Sequence, residues 1–160
     1  MFRLYKRDET GRIAAYHEAW AEPERRRIVE HWGMVGTEGE TEVHRIWFFG
    51  SLEKQFNSIL DPARALGFAE LVTSDFTHLI VEYALGRSPN DDDLGRRLDI
   101  EERLNEVLGW TGLGECDRGA MTPDSMEAIC EVVDFDLAKS VIEDALKDSD
   151  FEDYSRIYQE

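Results

Sequence analysis

His31-Trp32-Gly33-Met34-Val35-Gly36-Thr37-Glu38-Gly39-Glu40-Thr41 decides how the first part of this chain folds. Three glycines within seven positions and a tryptophan beside the first mark an aromatic-glycine turn of unusual specificity. From Thr41 to Phe49 the residues alternate as a strand does. Beyond it, Leu52, Phe56, Ile59, Leu60 and Ala63 recur at helical spacing, with Ser51 as N-cap and Gly67 as stop. Pro62 lies inside that helix and predicts a kink or break there.

The order Trp-Gly-Met-Val-Gly followed by Gly-Glu-Thr resembles the signature of the WGR family, Trp-Gly-Arg-Val-Gly followed by Gly-Gln-Thr, with Met34 in place of the arginine that names it. The resemblance covers residues 1 to 70. Ile13-Ala14-Ala15-Tyr16-His17-Glu18-Ala19-Trp20 looks like the family's first long strand, and Arg26-Arg27-Ile28-Val29-Glu30-His31-Trp32 like the strand entering the turn. Ala65-Leu66-Gly67-Phe68 is similar to the family's closing Gly-aromatic. The resemblance implies a four-stranded antiparallel sheet with one helix against it. In poly(ADP-ribose) polymerases such a domain helps to recognise DNA breaks, with the tryptophan and the arginine at or near the nucleic acid. Only Trp32 and Gly33 inherit that role here, because Met34 neither donates a hydrogen bond nor neutralises a phosphate. Arg25, Arg26 and Arg27 form the only basic cluster of the chain and offer a partial substitute. The competing reading makes Trp32 a core or turn anchor for which the glycines make room.

Charge separates the two halves. The chain has 18 Lys+Arg and 35 Asp+Glu, a formal net charge of −17 over 160 residues. Residues 1 to 70 hold 10 basic and 12 acidic side chains, whereas residues 71 to 160 hold 8 basic and 23 acidic. A surface that negative repels a polyanion, so nucleic-acid binding is not expected of the full chain. It suits either plain solubility or a basic protein partner. No stretch has the roughly 18 to 20 apolar residues needed to span a bilayer, and Met1-Phe2-Arg3-Leu4-Tyr5-Lys6-Arg7 lacks a signal-peptide core. Two cysteines, Cys116 and Cys130, without metal spacing fit a reduced, cytoplasmic protein.

An α+β organisation in two domains follows, a WGR-like one over 1-72 and an acidic one over 73-160. In the second, Thr77 to Tyr83 reads as a buried strand and Gly86 to Asp93 as a loop. Asp99, with Glu102 three residues on, is expected to cap a helix whose apolar face is Ile100, Leu104, Val107 and Leu108, stopped by Gly109. Met126, Ala128, Cys130 and Val132 alternate as a strand. Asp134 opens a helix with Leu137, Ala138, Val141, Ile142 and Ala145 on one face, and Phe151 to Tyr158 supplies a last strand. The order β-α-β-α-β, with room for a short extra strand near Cys116, points to a ferredoxin-like sandwich. The glycine-rich Leu108 to Gly119 stretch, with Val132-Val133-Asp134, looks like one in small bacterial proteins of unassigned function, some of which resemble immunity proteins that silence a cognate toxin.

Among chemistry-bearing residues, His17, His31 and His44 fall in strands where alternation places several on one face, yet no pair has the short spacing of a zinc site. Cys116 lacks a base partner and reads as a small buried cysteine. Asp91-Asp92-Asp93 lacks the glycine and terminal glutamate of a calcium loop and reads as solvated loop charge. The glycine-rich stretch has no Gly-Lys-Ser/Thr, and Glu115 and Asp117 would repel a phosphate. Its Trp110 is expected to anchor a loop against the sheet. No nucleophile-base-orienter set emerges, so neither an enzyme nor a cofactor is expected.

Two functions are consistent with these residues. One is a non-enzymatic acidic protein that binds a basic partner, most concretely an immunity-type inhibitor of a bacterial nuclease or deaminase toxin, through Asp91, Asp92, Asp93, Trp110, Glu115 and Asp117. The other is a WGR-type reader of nucleic acid or poly(ADP-ribose), through Trp32, Gly33 and Arg25 to Arg27, with the acidic domain as regulator. Exposed strand edges also allow pairing of two copies into a homodimer.

Overall fold

The computed structural model describes residues 1–47 and 51–160. The chain is α+β, with two four-stranded antiparallel sheets and three α-helices. It divides into two compact units, Met1–Val72 and Thr73–Glu160. No helix among the described residues is long and apolar enough to cross a membrane.

The first unit is a meander of β1 (Phe2–Arg7), β2 (Ile13–Glu22), β3 (Arg27–Met34) and β4 (Glu40–Arg45), in that spatial order, followed by α1 (Leu52–Ala65). β1 is the strand that the sequence pattern left unassigned. β4 ends at Arg45, earlier than the expected Phe49; Phe48 and Phe49 lie outside the described residues. The Ser51 hydroxyl caps α1 by accepting from the Lys54 amide at 3.2 Å. Pro62 does not break this helix, which runs on to Ala65. A proline removes only its own amide's bond to the preceding turn, and the helix ends within one turn of it. Leu4, Ala19 and Ile28 of the sheet bury against Phe56, Leu60 and Ala63 of α1.

The second unit runs β5 (Thr77–Ala84), α2 (Asp91–Trp110), β6 (Gly114–Met121), β7 (Ser125–Val132), α3 (Phe135–Leu146) and β8 (Arg156–Gln159). Its sheet order is β6-β7-β5-β8, the ferredoxin-like split arrangement. Leu79, Val81, Met126, Ala128, Cys130 and Val132 are buried on one face of that sheet, and Ile100, Leu104, Leu108, Ala138, Ile142 and Leu146 are buried apolar residues of the two helices. The Asp134 carboxylate caps α3 by accepting from the Leu137 amide at 3.0 Å.

Three expectations in this unit are corrected. α2 begins at Asp91, eight residues before Asp99, because Asn90 is the N-cap. Its side chain accepts from the amides of Asp92 at 2.9 Å and Asp93 at 3.1 Å, while Asp93 accepts from the Asn90 amide at 2.8 Å, closing a capping box. Aspartates suit this place because the helix N-terminus carries partial positive charge. The short extra strand allowed near Cys116 is a full edge strand, Gly114–Met121, within what otherwise reads as a glycine-rich loop. The last strand starts at Arg156, since residues up to Asp153 form a turn.

Candidate functional site

The turn after β3 is held from one face of the first sheet by a buried polar network. Along β3, side chains alternate between faces, so His31 points away from α1 while Glu30 and Trp32 share the α1 side. His31 is fully buried. Its Nδ1 lies 2.8 Å from Oε1 of Glu18, and its Nε2 lies 2.5 Å from the Glu38 carbonyl and 3.0 Å from the Tyr16 hydroxyl. That hydroxyl donates to the Thr37 carbonyl at 3.0 Å, and Arg3 donates to the other oxygen of Glu18 at 2.5 Å. Two acceptors therefore flank the imidazole, and only its protonated form donates to both. Burial works against that charge, but the bonds to Glu18 and Glu38 outweigh it and raise the pKa of His31. Burial and the Glu18 carboxylate push Tyr16 up.

Glycine is required in the turn by close approach. A Cβ on Gly39 (φ +67°) would lie 2.2 Å from the Trp32 carbonyl oxygen and 2.4 Å from the Tyr16 hydroxyl. A Cβ on Gly33 would lie 2.7 Å from Gly39 Cα.

On the α1 side of the same sheet, Glu30 receives two imidazoles. His17 Nε2 sits 2.6 Å from its Oε1, and His44 Nε2 sits 2.6 Å from its Oε2. Glu42 faces Glu30 directly across the β3–β4 ladder, and the ligand atoms of Glu30, Glu42 and His44 all lie within 4.8 Å of one another. Trp32 is half-buried. It stacks on His17, with centroids 5.8 Å apart and planes at 23°, and Phe68 meets the same imidazole edge-on. The three histidines thus do not share a face: His17 and His44 gather at Glu30, and His31 is opposite.

Arg25, Arg26 and Arg27 do not form a free basic patch. Glu22 accepts from Arg27 at 2.7 Å and lies 3.5 Å from Arg25, and Arg26 caps a short 3-10 turn with a left-handed backbone. Met34 is exposed.

In the second unit, the acidic residues separate into structural and exposed ones. Asp93 is buried, against expectation, and takes a two-pronged ion pair from Arg87 at 2.6 and 2.9 Å that lowers its pKa. Asp91 and Asp92 are exposed at the start of α2. With Asp99, Glu102 and Glu106 they line the solvent face of this helix by their 3.6-residue spacing, with Leu98 between them and Trp110 at the far end, 52% and 43% exposed. Asp99, Glu102 and Glu106, with Arg103 and Asn105, border a shallow depression. Trp110 is the last residue of the helix, where a loop position was expected. Glu115 and Asp117 are exposed on β6, an edge strand.

The glycines of the 109–119 stretch answer to packing. A Cβ on Gly114 would lie 1.9 Å from the Glu131 carbonyl oxygen, and one on Gly119 would strike the buried Arg97–Glu101 pair. Cys116 and Cys130 are free, buried and directly opposed on β6 and β7.

Sequence reasoning passed over Arg3, Tyr16, Glu18, Glu30 and Glu42. The one available signal was Glu18 amid Ala14, Ala15, Ala19 and Ala21, a carboxylate in a strand otherwise rich in small apolar residues, where burial calls for a cation. Comparison of the chain with protein-family models, curated proteins and solved structures found no match.

Proposed function

We propose that this protein is a non-enzymatic acidic binder of a basic protein, in its most concrete form an immunity-type inhibitor of a bacterial toxin domain. The observation that carries the reading is the solvent face of α2. It aligns Asp91, Asp92, Asp99, Glu102 and Glu106 on one continuous stripe, and only Glu106 has an ion pair there, with Arg103 at 3.1 Å. Leu98 and Trp110 add apolar area to it, the composition of an interface with a contact core and a charged surround. Long-range attraction from such a stripe speeds encounter with a cationic surface, including one evolved to hold nucleic acid. Glu115 and Asp117 on β6 extend the negative field. The pairing of Arg25 and Arg27 with Glu22 weakens the alternative, a WGR-type module for nucleic acid or poly(ADP-ribose).

The test is capture of partners from the native cell, followed by association kinetics across a salt series. Neutralising Asp91 with Asp92, and separately Glu102 with Glu106, lowers the association rate while leaving the fold intact; Asp93 is spared because it caps α2. An association rate indifferent to both variants and to salt would reduce the acidity to a solubility feature. Duplex DNA bound more tightly than about micromolar, with a steep salt dependence, would favour the alternative.

A further inference from the structure

Glu30 and Glu42 stand opposite each other on neighbouring strands and on one face of the sheet. Carboxylates so placed repel. The ordinary remedy is a lysine or arginine between them, and among the described residues neither has one. Glu30 instead has His17 and His44 as its ion-pair partners. The contrast is with His78, whose neighbour Glu131 is already paired with Arg118.

We propose that Glu30, Glu42 and His44 bind a divalent transition-metal ion of the zinc class, with His17 as the residue that orients Glu30. One imidazole and two carboxylates converging from adjacent strands are a nitrogen–oxygen ligand set of the kind zinc takes, and three protein ligands leave a fourth position for water. His44 offers Nε2 and Glu30 offers Oε2. Glu30 Oε1 is held from the other side by His17 Nε2 at 2.6 Å, the hydrogen bond that fixes a ligating carboxylate. Trp32 stacked on His17 and Phe68 against its edge lock that imidazole in turn, which gives the tryptophan of the turn a role in the site.

Ligand atoms about 2.0–2.2 Å from zinc in a tetrahedron stand about 3.3–3.6 Å apart. Glu30 Oε2 and His44 Nε2, now 2.6 Å apart, part by about 0.7–1.0 Å to admit the ion. That movement is small for side chains of this length, and Glu42 and His44 lie on the edge strand β4, where Glu42 is exposed and His44 partly so. On binding, the ion takes His44 Nε2, the proton of the neutral ring resides on Nδ1, and the carboxylate repulsion becomes a shared attraction. The site is independent of the α2 stripe.

The experiment is calorimetric titration of untagged, chelator-stripped full-length protein with Zn²⁺, and with Co²⁺ followed by its visible ligand-field bands. One ion per chain is expected at micromolar affinity or tighter, with cobalt bands of a low-coordinate nitrogen–oxygen site. His44→Ala and Glu42→Gln each weaken binding at least about 10-fold, and His78→Ala does not. His17→Ala weakens it less, and His17→Gln, which restores a donor to Glu30, recovers part of the loss. Melting curves without metal verify that each variant folds. Affinity weaker than about 0.1 mM, or affinity unchanged in both folded His44→Ala and Glu42→Gln, overturns the proposal.

Discussion

Replacing His31 by alanine tests the buried network most directly. The imidazole is fully buried, so its removal leaves a void that neighbours fill only in part. It also removes a charge-assisted hydrogen bond to Glu18, worth about 1.5–3 kcal/mol, and a second bond to the Glu38 carbonyl. Glu18 is left buried with Arg3 as its remaining cationic partner. Breaking one side of a buried ion pair costs about 3–5 kcal/mol, and that range is expected for the first unit. Denaturant titration read by peptide-resolved hydrogen exchange over residues 13 to 34, with chelator present, measures it. A loss below about 1 kcal/mol would refute the network as a support of the turn.

The same variant series reports on charge. The pKa of His31 is raised above its ordinary value of 6.5, so its stabilisation is fully present below that value and is lost as pH rises through the higher, folded pKa. Wild-type stability is therefore expected to fall on going from about pH 6 into the alkaline range by more than that of His31→Gln, which has no charge to lose. Equal pH dependence of the two proteins would show that the folded imidazole is neutral.

Three further outcomes are expected. Gly114→Ala destabilises the second unit by about 2–3 kcal/mol in urea titration, because its new methyl has to displace the Glu131 carbonyl at a residue with φ +149°; an unchanged midpoint would contradict the close approach of β6 and β7. Trp32→Ala costs about 1.5–3 kcal/mol, less than the usual cost of deleting a buried aromatic since the ring is half-exposed, and a larger loss would place the indole in the core. The hydrogen bond with Cys116 and burial hold the pKa of Cys130 well above the thiol range, and Cys116 is itself buried, so a thiol reagent at neutral pH labels neither cysteine in the native protein and both in denaturant.

How far the sequence was legible depends on the range of the interaction that decides each element. Alternation in Met126 to Val132 and helical spacing in Leu52 to Ala63 are local, and the strands and helices there follow them. The caps Ser51 and Asp134 are local too. Asn90 was passed over because three aspartates and a preceding Ser-Pro read as loop, whereas a helix N-terminus favours that same run of acids. The glycines of the Leu108 to Gly119 stretch left room for only a short strand near Cys116, where Gly114–Met121 is a full one. Those glycines allow a strand to lie close to β7 and beside a buried ion pair, contacts that no window of sequence displays.

The sites were harder still, because each is assembled across strands. Glu30, His31 and Trp32 are consecutive, and the two-residue period of β3 sends the middle one to the buried network and the outer two to the Glu30 cluster. From the sequence alone, spacing between histidines counts positions along one strand, while the distances that matter run across the ladder: His17 and His44 are 27 positions apart and reach the two oxygens of one carboxylate. Register is what converts one into the other. A slip of one residue between β2 and β3 would carry His31 to the helix side and Glu30 to the other, dismantling both assemblies at once. The buried Glu18–His31 pair opposes that slip, since it would strip the imidazole of its carboxylate and leave Glu18 with Arg3 alone. The network behind the turn therefore sets the alignment on which the Glu30 cluster depends, and His31→Ala should loosen metal binding at Glu30 and His44 although His31 touches neither.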